Sequence, residues 1–470
     1  MPQSDETEAY EGAYLISPLV ENLPFDILAA IFRKTLESHN DDFDERESTF
    51  GHKAILPIAH AMSHVSRSWR MAALSAGFLW CEIEVNSQTI HDHLSVCLTR
   101  AGGSQLDVAI HCPEVGDLDQ KNVEAVFARV QKWRTCKIFM VTESLAQPIA
   151  MRLCGANAPH LRYLSLELLR SENLSRANVN TPILDGKVGA PLLSFMRLRG
   201  YAFRYFVPPS LAVSTLHLEL TTFCVLFNFS AFKSFVENFP MLQHLSLWGD
   251  MLGEPDKLWP FPPMKDGIPG TLIDLPKLRS LRLYSHSGSI YSGLLQVLNA
   301  PDLTTLNLRG MAMHDLNPLA RICPHRYTSV KSILLTDIDF PIHNAYETLR
   351  TVFPCLGKLG VLGQDYQVPV LLNFLSGKFT DGWLPWEDLH TLTISLDVQK
   401  CELLQETMKV RQKREHPVRQ LYVVSVQEAV DDYMENEWEL EEPAFDVLYG
   451  FDEIWPPGRT VEDFDNWLFL

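Results

Sequence analysis

One short phrase recurs along this chain and restricts its fold more than any other feature. It reads PHLRYLSL from Pro159, PLLSFMRL from Pro191, PMLQHLSL from Pro240, PKLRSLRL from Pro276, PDLTTLNL from Pro301 and PCLGKLGV from Pro354. Each copy opens on proline and carries apolar residues two, five and seven positions later. Looser copies occupy 211–220, 329–338, 388–396 and 418–426. The closing alternation puts two side chains on one face of a β-strand. The proline can end a preceding helix, because it has no N–H to donate. Between copies, FSAFKSFVENF (229–239) and YSGLLQVLNA (291–300) have helical spacing. A single strand-plus-helix unit cannot bury its own apolar face, so neighbouring units must stack with their strands parallel. The array is expected to start before the first clear copy. LDVAIHC (106–112) alternates as a strand, NVEAVFARVQKW (122–133) is spaced as a helix, and KIFMVT reads as another strand.

The expected fold class is α/β. The phrase resembles that of leucine-rich repeats, which implies an irregular leucine-rich-repeat-like solenoid over residues 86–427. The likeness is partial. A regular repeat of that family carries asparagine or cysteine after the L-x-L, where this chain has Trp248, Tyr284 and Arg309. The period also wanders, and the Pro- and Gly-rich stretch 250–274 reads as a long loop. The positions between the leucines are those a solenoid offers to partners. Arg197, Arg199, His217, His244, Arg282 and Arg309 fall there and are expected to point away from the core. A basic stripe that captures an acidic or phosphorylated target is one expectation for them; ordinary solvation is the other.

The N-terminal part has a different pattern. LPFDILAAIFRKTL (23–36) opens with Pro24 in a first helical turn, where its missing N–H costs nothing. Ile27, Leu28, Ile31, Phe32 and Leu36 share one broad helical face. An acidic gap follows at about 39–53. Helical spacing then resumes in ILPIAHAMSHVSRSWRMAALS, and FLWCEIEV runs into a strand. About 60 residues bury too little surface to be comfortable alone. One reading is therefore an ordinary helical start to the larger fold.

The order LPFDILAAIF, SHVSRSWRMAALS, FLW resembles the F-box as basidiomycete fungi write it, over residues 16–85. RVQKWRTCKIFMV resembles the stretch that such chains carry just after the box. The acidic gap is longer than in a minimal F-box. The resemblance implies that Leu23, Pro24, Ile27, Leu28, Ile31, Val65, Trp69 and Trp80 contact a Skp-type adaptor, which joins a cullin scaffold, with some of them reserved for the core. It further implies a substrate-recognition subunit of a ubiquitin ligase, with the solenoid holding an unknown target protein. The alternatives are a non-catalytic interaction scaffold with a degenerate F-box, and an enzyme whose site forms only in the fold.

Composition narrows the remaining classes. The 470 residues carry 40 Lys+Arg against 58 Asp+Glu, a net charge of -18, which disfavours general binding to nucleic acid. The polar, acidic start MPQSDETEAYEG lacks a basic region and an apolar run, so it reads as a disordered N-terminus (1–15) rather than a targeting segment. No apolar run reaches the roughly 18–20 residues of a membrane span. Nine cysteines without a C-x-x-C pair favour a reduced cytoplasmic or nuclear setting. No nucleotide-binding, zinc-protease or serine-hydrolase motif occurs. His91 and His93 flank Asp92 without metal-ligand spacing. No catalytic residue, metal or cofactor is therefore assigned. Residues 428–470 are acidic with interleaved aromatics, and a cap on the last repeat is expected, with a tail or a partner segment as alternatives. The cations of KVRQKRE (409–415) are expected to favour the end of a helix.

Overall fold

In the computed structural model, the chain is described at residues 23–41, 55–112, 118–170, 181–220, 227–252, 264–265, 268–269, 272–285, 289–322, 327–340, 342–363, 367–380, 383–396, 400–424 and 444–448. It divides into two compact units. The first takes in the described residues through Ala109 together with Leu118–Arg134, and the second Ile110–Cys112 with the described residues from Thr135 onward. The chain passes from one to the other within β2 and β3, defined below. The acidic gap at 42–54, the expected disordered start and most of 428–470 lie outside the described residues.

The first unit holds helices α1 (Phe25–Asp41), α2 (Ile55–Val65) and α3 (Arg67–Ser75), a tight turn at Gly77–Trp80, β1 (Glu82–Val85), α4 (His91–Ala101), the start of β2 (Leu106–Cys112) and α5 (Gln120–Phe127). The Pro24 carbonyl accepts the first helical bonds of α1, from the Ile27 and Leu28 N–H groups. The sequence reads α2 and α3 as one run, but the chain breaks at Ser66. Its extended backbone and its hydroxyl, which accepts from the Trp69 N–H at 3.2 Å, make it the cap of a new helix. The unit also runs past the boundary expected at residue 85. Trp80 is covered by the Arg100 guanidinium of α4 at 4.4 Å, and Gly77 lies so close to Ala101 that an added Cβ would sit 2.9 Å from its carbonyl oxygen. The N-terminal helices thus share their core with α4. Buried Asn122 of α5 ties the same region together, with Nδ2 donating to Thr89 O and Oδ1 2.9 Å from His91 Nδ1.

The second unit is a ladder of parallel strands with helices in the connections. In chain order it contains β3 (Trp133–Met140), α6 (Glu143–Leu153), β4 (Tyr163–Leu168), β5 (Phe195–Gly200), β6 (Thr215–Glu219), α7 (Phe229–Glu237), β7 (His244–Trp248), β8 (Ser280–Tyr284) and α8 (Ser289–Val297). Then come β9 (Thr305–Arg309), α9 (Met313–Ile322), β10 (Ser332–Thr336), α10 (His343–Val352), β11 (Lys358–Leu362), α11 (Gln367–Leu375), β12 (Thr391–Ser395), α12 (Cys401–Lys413), β13 (Gln420–Val424) and β14 (Ala444–Leu448). From β3 to β14 every strand pairs in parallel with its sequence neighbour. This is the solenoid-like α/β arrangement expected from the repeats. It reaches beyond residue 427, because Phe445 and Val447 take register with Leu421 and Val423.

The repeated phrase explains the register. Its last two leucines form buried columns, Leu164–Met196–Leu216–Leu245–Leu281–Leu306 and Leu166–Leu198–Leu218–Leu247–Leu283–Leu308. The first leucine, as in Leu161, Leu193, Leu242, Leu278 and Leu303, is buried and closes a turn by donating its N–H to the carbonyl three residues back. The proline is the second residue of that turn, where its fixed φ fits. It therefore shapes the entry to the strand rather than ending a helix. The exit uses a different signal, a left-handed residue. Gly200, Gly249 and Gly310 take φ of 64, 96 and 82°, and Asp337 takes 50°. These left-handed residues come two positions after the last leucine or its equivalent, where the chain turns out of the strand.

Candidate partner-binding surfaces

Two surfaces arise from this framework, one in each unit. In the first unit a groove of about 560 Å³ is lined by Leu23, Phe25 and Leu28 from the start of α1 and by Ser66, Arg67, Ser68, Met71, Ala72 and Ser75 along α3. Phe25 and Met71 are 48% and 66% exposed, which is high for large apolar side chains in a unit of this size. Neither stands out in the sequence.

The residues expected at the adaptor contact distribute unevenly. Leu23 is half-buried in the groove, and Leu28, only 1% exposed, forms its floor. Leu28 is therefore core, with little surface to offer a partner. Trp80 is also core at 1% exposure, its Nε1 donating to Ala73 O at 2.9 Å. Trp69 is half-buried with its ring edge-on to Phe32, centroids 5.3 Å apart. Pro24, Ile27 and Val65 are exposed and Ile31 is half-buried, all outside the groove lining. Helical spacing identifies an apolar face, but it cannot tell which edge of that face the neighbouring helix covers.

The second surface is the strand face opposite the buried leucine columns. Register aligns Glu167, Arg199, Glu219, Trp248, Tyr284 and Arg309 in one row across β4 to β9, and Ser165, Arg197, His217, Ser246, Arg282 and Asn307 in the next. The cations expected to face outward do share this side. They do not form a uniformly basic stripe. Arg197 bonds Glu219 at 2.6 Å, and Arg199 bonds Glu167 at 2.9 Å and approaches Glu219 at 2.8 Å. Arg309 pairs with Asp337 at 2.8 Å. Carboxylates one strand away thus compensate the arginines. Burial works to raise the Glu219 carboxyl, but His217, Arg197 and Arg199 outweigh it and hold it well below the usual carboxylate range. Burial dominates at Glu167 and raises it despite Arg199.

His217 is fully buried, 3.6 Å from Glu219. Burial lowers its imidazole to about 4, against the opposing pull of Glu219. It is therefore neutral at pH 7 and adds no charge to the face. The folded value lies below the roughly 6.5 of an unfolded chain. As pH falls the unfolded chain takes the proton first, so stability is lost between about 6.5 and 4. The thermal midpoint of the wild type should drop further from pH 7 to pH 5 than that of His217→Gln. Equal drops would exclude this role for His217.

Next to the ion pairs lies an aromatic and arginine cluster. Trp248 and Tyr284 have centroids 4.3 Å apart. The Arg282 guanidinium lies 5.3 Å from the Trp248 centroid, and that of Arg309 lies 5.0 Å from the Tyr284 centroid. Trp, Tyr and Arg are the residue types that most often dominate protein interfaces. Among the described residues no His, Cys, Asp or Glu group is arranged to hold a metal ion, and no helix is long and apolar enough to cross a membrane. Comparison with known protein families finds no match to this chain, and no curated protein matches it either.

Proposed function

We propose that this chain selects targets for a cullin-type ubiquitin ligase, with the first unit serving as an F-box that docks a Skp-type adaptor and the strand ladder holding the target. The observation that carries this reading is the groove at Leu23, Phe25, Leu28 and Met71, an apolar seat on a helical unit that is compact apart from the ladder. It coincides with the leading segment of the F-box resemblance, LPFDIL. Burying two large apolar anchors contributes roughly 1.5–3 kcal/mol each, enough to offset part of the entropy of association. In this reading the chain carries out no bond chemistry. It raises the local concentration of a target beside the transfer machinery.

Co-expression with a fungal Skp-type adaptor and a cullin, followed by pull-down, tests the reading. Phe25→Asp and Met71→Asp are each expected to weaken adaptor binding about tenfold or more. Ile27→Asp, outside the groove lining, is expected to matter less. All three positions are exposed, so each variant should keep the wild-type thermal midpoint. A folded wild type that captures no adaptor would remove the reading. Capture of adaptor without cullin would leave the chain a scaffold.

A further inference from the structure

The row of residues just before the strands has a character of its own. Its members are joined by backbone bonds that extend the ladder by one residue: Thr304 N to Arg279 O, Lys331 N to Thr304 O, Gly357 N to Lys331 O, His390 N to Gly357 O and Arg419 N to His390 O. Arg279, Lys331, His390 and Arg419 are exposed on this rim, and exposed Lys358 follows Gly357 directly. Among the described residues, the side chains of Arg279, Lys331, Lys358 and Arg419 enter no ion pair and no hydrogen bond. In a chain of net charge -18, uncompensated cations gathered on one edge are a departure from the average surface. Arg197, Arg199 and Arg309 of the strand face, by contrast, are matched by carboxylates.

The rim is also concave. A groove of about 620 Å³ opens there, with Lys331, Lys358 and His390 beside the hydroxyl-bearing Thr304, Thr305 and Ser332. Asp388 is the one acid in its lining. Gly357 keeps the groove open, because a Cβ at that position would stand 2.9 Å from His390 Nε2. Asp302 and Glu387 are exposed in the adjoining turns.

We infer that this rim is a docking surface for an extended acidic segment of a target protein, lying across the starts of β8 to β13 with its carboxylates on Arg279, Lys331, Lys358 and Arg419. The spacing of the cations selects this occupant. Arg279, Lys331, Lys358 and Arg419 stand at the starts of β8, β10, β11 and β13, and adjacent strands lie about 4.8 Å apart, so the cations are about 5–10 Å apart along the rim. Successive charges are thus spread along the rim instead of converging on one point. A single phosphate is held by several donors aimed at one centre, with a bidentate arginine or a nest of backbone N–H groups. A chain of carboxylates on alternate residues, repeating every 6–7 Å or so, matches a row of separated ammonium and guanidinium groups better. The serine and threonine hydroxyls can donate to the same carboxylates. This inference deepens the receptor reading by naming the chemistry of the target, and it rests on the ladder being the target-binding part.

The test is fluorescence anisotropy with the full chain and three labelled peptides. One alternates Glu and Ser over twelve residues, one has Gln for every Glu, and one carries a single phosphoserine in the Gln background. The acidic peptide is expected to bind at least tenfold tighter than the Gln peptide, with affinity falling as salt is added. Lys331→Glu with Lys358→Glu should abolish that preference, and Lys121→Glu, an exposed lysine of the first unit, should leave it intact. Equal binding of the acidic and Gln peptides would overturn the inference, as would full binding by the double variant. Tighter binding of the phosphopeptide than of the acidic one would also overturn it in favour of a phosphate site. Adaptor pull-down on the same double variant separates the two readings. Retained adaptor with lost peptide supports both. Peptide binding by a wild type that captures no adaptor removes the ligase while leaving the rim as a binding surface.

Discussion

Replacing Arg411 with Met is expected to cost about 3–5 kcal/mol of stability. Arg411 lies in α12, and its guanidinium is fully buried. It donates to Leu375 O, Pro385 O and Trp386 O at 3.4, 3.0 and 2.9 Å, and its Nε donates to His416 O at 3.2 Å. Burial lowers its ionisation to about 10, so it is still charged at neutral pH. The side chain pins the end of α11 and the turn before β12 onto α12. Methionine fills similar space and leaves those carbonyls without a donor. An unsatisfied buried polar group costs on the order of 1–3 kcal/mol. Lysine keeps the charge but has no planar fork, so Arg411→Lys should fall between the two. Urea unfolding followed by circular dichroism measures the effect. A loss under about 1 kcal/mol for Arg411→Met would mean that water replaces the guanidinium.

The second large effect is expected at Gly310, directly after β9. Its φ is 82°, and a Cβ there would stand 2.5 Å from Ser285 O. Gly310→Val combines left-handed backbone strain of about 1–3 kcal/mol for a non-glycine residue with a collision against backbone. A loss of roughly 3 kcal/mol or more should follow. Gly360 on β11 supplies the contrast. A Cβ there would meet mainly the Leu334 side chain, and Gly360 is not among the glycines with positive φ. Gly360→Ala should therefore cost distinctly less, because a side-chain end can move where a carbonyl cannot. If the two substitutions cost the same, the conformational argument for Gly310 fails.

These two sites also mark what can and cannot be read in the amino-acid order. The leucine columns are legible because the phrase repeats with constant internal spacing. The glycine after the strand is equally visible, in FMRLRG, LSLWG and LNLRG, but only some copies carry it, so it does not read as part of the phrase. Once the copies are aligned on their prolines, Glu167 and Arg199 fall at the same offset, so part of the charge network is encoded there as well. Arg411 is out of reach. Three of its four carbonyl partners lie 25 to 36 residues earlier, in stretches with no recurring pattern. In sequence it looks like one of several cations near a helix end.

The candidate adaptor site shows the same limit at smaller scale. The run Leu23 to Ile31 is recognisable as the start of an apolar helical face. Whether Leu28 or Phe25 meets the solvent depends on where α3 lies against α1, and no local pattern encodes that. Trp80 is among the adaptor contacts that the F-box resemblance implies, some of which are reserved for the core. Its indole N–H instead has a partner inside the unit, at Ala73 O.

The strand face has one more property. From β4 to β11 its composition changes in order: carboxylate-paired charges at Glu167, Arg197, Arg199 and Glu219, then the rings of Trp248 and Tyr284 with Arg282 and Arg309 beside them, then Leu334 and Gly360. A polypeptide laid across the strands would meet these three chemistries in sequence, and would meet them in reverse if it were turned end for end. The face therefore has a direction. A ligand and its retro-sequence, identical in composition and charge, would be told apart by the order alone.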